Sequence, residues 1–154
     1  MIIHSPRSTF DYTGSVEASL EALHAQIFQQ RYGSSDTYRS LTELHADEDF
    51  MGEEGTHSIL DIQRVVHTTG TPDPAKGEDY NTLRPLAPDR LAHYFGTDRP
   101  TVQQYEERIT AAHRAHLSEE SLLEECRMRW TGIYVILHTD DQPTHVGIFG
   151  YSGD

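Results

Sequence analysis

The stretch that most constrains this chain is its last apolar one. IYVILHT (133–139) is followed by DDQP (140–143) and THVGIFGY (144–151), two β-rich runs around a turn. That pattern predicts a β-hairpin. Both runs are apolar at successive positions and not at alternate ones, so neither face of the hairpin suits water. Helices must therefore cover it on at least one side. The rest of the chain supplies them.

From Ser15 to Tyr32, Val16, Leu20, Leu23 and Ile27 recur at helical spacing, with Ser15 placed to cap the start and Gly33 to close the end. Tyr38, Leu41 and Leu44 mark a second, shorter helix within Asp36–Ala46. Pro88–Phe95 reads as a short helix closed by Gly96, and Val102, Tyr105, Ile109, Ala112 and His116 as the stripe of a longer one. A further helix is expected from Ser118, with Leu123, Cys126 and Trp130 inward. Residues 57–69 carry both helical spacing and β-branched residues and stay ambiguous. Residues 1–4 read as a short strand or arm. Residues 70–82, dense in Gly, Pro, Asp and Asn, form a long surface loop, read as an insertion in preference to a mobile lid and too short to separate two cores. The expected fold is a single α+β domain over 1–154, helices packed on a small antiparallel sheet that includes the hairpin.

Gly132-Ile133-Tyr134 and, ten residues on, His145-Val146-Gly147 resemble the paired signature of GIY-YIG nucleases, with His145 where the second tyrosine stands. The catalytic arginine and metal-binding glutamate of that family follow the second motif at a distance. The seven residues after Gly147 do not hold them. The pattern therefore reads as a hairpin with small residues near its turns.

Twelve basic residues face 25 acidic ones, a net charge of −13 with histidine neutral. That sign speaks against a nucleic-acid grip, which needs clustered Lys and Arg. No apolar run approaches the roughly 18 residues of a membrane helix. Cys126 is the single cysteine, so no internal disulfide framework exists; with no secretory h-region at the start, a cytoplasmic location is expected.

Imidazole and carboxylate together are the ligand set of catalytic transition metals. His113 and His116 lie one helical turn apart, and Asp47, Glu48, Asp49 or Asp61 could add an oxygen ligand or general base. His138 and His145 are expected to lie close across the hairpin. No HExxH, nucleophile elbow, P-loop or GxGxxG is present, and Cys126 reads as a small buried hydrophobe.

Two functions are therefore carried forward. One is a small acidic inhibitor, immunity-type or regulatory factor that binds a basic protein, using tyrosines such as Tyr12, Tyr32, Tyr38 and Tyr80 as contact residues. The other is a metal-dependent hydrolase built on His113, His116, Asp47 and Asp61, with a divalent transition metal as cofactor. The hairpin's outer edge also invites pairing across a homodimer axis.

Overall fold

A computed structural model describes residues 9–34, 36–53, 55–114 and 121–151. The arm at 1–4, His116 and the expected helix start at Ser118 lie outside them.

The hairpin is there. β4 (Thr131–Thr139) and β5 (Gln142–Tyr151) pair antiparallel from Thr131↔Tyr151 to Thr139↔Gln142. The turn is tighter than four residues: Asp140 and Asp141 alone make it, both with positive φ (51° and 61°), as a two-residue hairpin turn requires. A register shift at Leu137/His138 places His145 opposite Leu137 and His138 opposite Pro143, so the two imidazoles are not cross-strand partners.

Three short strands complete the sheet. β1 (Thr9–Asp11) pairs antiparallel with β5 along His145–Gly147, which occupies that part of the hairpin's outer edge. β2 (Arg64–Val65) and β3 (Thr82–Pro85) run parallel to each other, and β3 runs parallel to β4, giving the order β1-β5-β4-β3-β2. The sheet is therefore mixed and not antiparallel. Parallel neighbours need a long crossover, and between β3 and β4 the chain supplies one through two helices. Neither β2, at two residues, nor β3, which ends in a proline, carries a periodic signal of its own.

Among the described residues the chain forms five α-helices. α1 (Val16–Tyr32) begins where expected: the Ser15 side chain accepts from the Ala18 amide at 3.1 Å. Its last turn meets Gly33 in right-handed geometry (φ −63°), so the glycine's left-handed freedom goes unused there. α2 (Leu41–His45) is capped by Ser40 and is shorter than its apolar spacing suggests. α3 (Glu48–Glu53) arises within the acidic run and buries none of its residues. α4 (Pro88–Phe95) ends at Gly96 in left-handed geometry (φ 69°), and α5 spans Val102–Arg114.

The ambiguous 57–69 segment divides into a 3-10 turn at Ile59–Asp61 and β2. The helix expected to place Leu123, Cys126 and Trp130 on one face is instead a 3-10 turn at Leu122–Glu125. Trp130 sits beyond it at φ 62°, at the turn into β4.

Both faces of the hairpin are covered, which is why both are apolar. On one face, Val135, Leu137 and Phe149 pack with Tyr94 of α4, Tyr105, Ile109 and Ala112 of α5, and Leu122, Leu123 and Cys126. On the other, Tyr134, Val146 and Ile148 meet Val16 and Leu20 of α1, together with Ile59, Ile62 and Leu83. At roughly 25 cal/mol per Å² of apolar area buried, these two clusters supply the main stabilising term.

The 70–82 loop is largely exposed but tethered. The Arg84 guanidinium, buried in β3, donates to the Gly70 carbonyl at 3.0 Å and to Asp79 at 2.9 Å. Asp79 in turn accepts from the Asp73 amide at 2.7 Å.

Candidate functional site

Beyond α1 the chain folds back and lines up four aromatic rings. Phe28 and Tyr32 are one helical turn apart on α1, with centroids 5.5 Å apart. Tyr32 meets Tyr38 edge-on at 5.9 Å, and Tyr38 meets Phe50 of α3 at 6.2 Å. All four rings are half-buried, so each keeps part of its surface toward solvent.

Two caps hold this ladder. The Ser40 hydroxyl accepts from the Glu43 amide at 3.1 Å while Glu43 accepts from the Arg39 amide at 2.9 Å, fixing the chain just after Tyr38. Asp47 stands at the start of α3 and uses both carboxylate oxygens: one accepts from the Phe50 amide at 3.1 Å, the other from the Tyr38 hydroxyl at 2.8 Å. One side chain thus places two rings. The Phe50 amide, then the Tyr38 hydroxyl, hold the Asp47 carboxyl below its ordinary range, and the same carboxylate holds the Tyr38 phenol above its own. Asp36, Glu43, Glu48, Asp49 and Glu53 surround the ladder in sequence and are all exposed.

Beneath the ladder, at the end of the sheet where β3 and β4 begin, lies Asp61, which is 0 % exposed. Its Oδ1 accepts from the Thr56 amide (2.6 Å) and hydroxyl (2.7 Å), and its carbonyl accepts from the Asn81 side chain at 2.8 Å. Among the described residues its Oδ2 has no hydrogen-bond partner. Four residues near it have left-handed backbones: Gly55, His57, Asn81 and Trp130. A side chain on Gly55 would strike the Trp130 ring at 2.4 Å and approach Asp61 at 3.1 Å. Non-glycine residues held this way each cost roughly 1–3 kcal/mol, so the surrounding contacts must enforce them. Two histidines do part of that: His24 of α1 bonds the Ile59 carbonyl at 3.1 Å and His45 of α2 the Leu60 carbonyl at 2.7 Å. Arg31 donates to the Thr56 carbonyl at 2.8 Å. Asp61 is the organiser of a loop that joins α1, α2 and the sheet.

Of the residues singled out as metal ligands, His116 lies outside the described residues and the others stand on different elements. Asp47 caps α3 and Asp61 holds the loop. Glu48 and Asp49 are exposed on α3, and His113 is half-buried in the last turn of α5. Among the described residues, no three His, Cys, Asp or Glu side chains gather so as to hold a metal ion. Cys126 is buried, with its sulfur 3.5 Å from the Thr131 carbonyl and hydroxyl, and burial pushes its thiol pKa up. Of the tyrosines named as contact residues, Tyr32 and Tyr38 stand in the ladder. Its other members, Phe28 and Phe50, escaped the sequence reading; the one-turn spacing of Phe28 and Tyr32 was their only local signal.

On the far side of the sheet, Tyr94, Phe95, Gln104 and Arg108 line an open groove of about 390 Å³ between α4 and α5. Arg108 donates there to the Tyr94 carbonyl at 2.7 Å. No helix among the described residues is long and apolar enough to cross a membrane. No protein family matches the chain, and no curated protein or solved structure matches it either.

Proposed function

We propose that this chain is a small acidic protein-binding factor, of the inhibitor, immunity-type or regulatory kind, acting on a basic protein partner. The observation that carries this reading is the ladder Phe28–Tyr32–Tyr38–Phe50, half open to solvent and set among the exposed carboxylates of the segment 36–53. Aromatic rings present large, stiff contact area at low entropic cost. Carboxylates around them select the sign of the partner and speed its approach.

Capture on the immobilised chain from native lysate, run beside a Phe28→Ala, Phe50→Ala variant that keeps its helical circular dichroism, tests this. Proteins of high pI should be retained by the natural chain, released by salt, and lost from the variant. Equal retention by both, or retention of acidic proteins alone, overturns the reading.

A further inference from the structure

Arg90, Tyr94 and Glu125 form a complete arginine–tyrosine–carboxylate group. The Tyr94 hydroxyl donates to Glu125 at 2.8 Å, Arg90 donates to the same carboxylate oxygen at 2.7 Å, and the Arg90 guanidinium lies 5.2 Å from the Tyr94 ring centroid. Two of those three parts recur in the ladder. The Tyr38 hydroxyl donates to Asp47, also at 2.8 Å. Tyr94 is buried and its guanidinium comes from the same chain, whereas Tyr38 and Asp47 are half-exposed. Among the described residues no arginine or lysine pairs with Tyr38 or Asp47. Arg31, the basic residue beside Tyr32, has its guanidinium turned to the Thr56 carbonyl.

We propose that the Tyr38–Asp47 pair is the seat of an arginine side chain donated by the protein partner. The inference rests on the basic-partner reading and narrows it from positive charge to guanidinium. A guanidinium is flat, can lie on a ring face, and directs several N–H groups toward a carboxylate in one plane; an ammonium offers a strongly hydrated point charge with neither property. Asp47 already spends one acceptor position on each of Phe50 and Tyr38, yet a carboxylate has about four. The remaining ones suffice for a guanidinium N–H.

The test uses two capped peptides of equal length and charge, one alternating glycine with arginine and one alternating glycine with lysine, titrated into the ¹⁵N-labelled full chain at pH 7. The arginine peptide should bind tighter by about fivefold, with amide shifts centred on 36–50. Asp47→Asn, which retains the cap and loses the charge, should weaken the arginine peptide by about tenfold. Tyr38→Leu, which removes the ring face and keeps an apolar side chain, should shrink the preference for arginine, while Asp89→Asn, an exposed carboxylate on α4, should change neither. Equal binding of the two peptides, binding of neither, or shifts away from 36–50 overturns the arginine seat. Capture of a basic protein that the ring variant loses would still stand in those cases, so the two readings fail separately.

Discussion

Gly147 lies directly beneath the ring of Tyr105. A methyl group on that glycine would come within 2.5–2.7 Å of three ring carbons, closer than packed atoms approach. This contact lets α5 settle on β5, and it explains a glycine in the middle of a long strand. Gly147→Ala should therefore destabilise the fold by about 1–3 kcal/mol through overpacking. Tyr105→Phe should act in the opposite direction. The Tyr105 hydroxyl is buried with no partner among the described residues, and removing it should raise stability by about 1 kcal/mol. Urea unfolding with an unchanged m-value checks both. A stabilised Gly147→Ala, or a destabilised Tyr105→Phe, contradicts this account of the packing.

Asp61→Ala should cost about 2–4 kcal/mol, because it strands the buried Thr56 amide and leaves the Thr56 hydroxyl with Ser58 as its one partner among the described residues. Asp61→Asn keeps a carbonyl oxygen in place and should cost clearly less. Equal losses in the two variants would show that charge, not the acceptor geometry, holds the loop.

Much of the fold was legible because it rests on local periodicity. The α1 stripe, its Ser15 cap, α4 with Gly96, and the hairpin all follow from spacing and turn chemistry within a few residues. The parallel half of the sheet was not, since β2 and β3 exist only through pairing with distant partners, and so few residues show no period. The same distinction applies to the site. Asp47 and Asp61 stood out as carboxylates, but their chemistry is set by Tyr38, Phe50 and Thr56, and in sequence a cap and a ligand look alike. The ladder joins α1 to α3 across a chain reversal, which no single-segment pattern encodes.

Stability should fall as pH drops through about 6.5. Burial lowers the His24 pKa from its ordinary 6.5, with the Ile59 carbonyl opposing that shift and His45 adding to it. A histidine that resists protonation when folded and accepts a proton when unfolded contributes stability above 6.5, and that contribution declines toward the lowered value. His24→Gln should flatten the slope between pH 7.5 and 5.5, measured by urea unfolding at each pH. An unchanged slope would assign the dependence to other groups.

Cys126 should behave as a packed core atom. Its thiol should stay unreactive toward a disulfide reagent until the protein unfolds, because burial both hides it and raises its pKa. Cys126→Ala should lower stability by about 1–2 kcal/mol and leave partner binding intact. Lost binding in a folded Cys126→Ala protein would give the thiol a role beyond packing.

Charge and rings should contribute separably to partner binding. Exposed charges are screened within about 8 Å at physiological ionic strength, so affinity should decline steadily as salt rises. A Glu48→Gln, Asp49→Asn, Glu53→Gln variant removes exposed α3 carboxylates without touching Asp47, and should flatten that dependence. Phe28→Ala should instead lower affinity at every salt concentration while preserving the slope, because its contribution is contact area. A ring at the centre of an interface is worth about 2 kcal/mol or more, close to thirtyfold in affinity. Calorimetric titration of the captured partner at several salt concentrations separates the two effects. A slope unaffected by removing the three charges would place the interface away from α3, and an unaltered affinity in Phe28→Ala would remove the ladder from it.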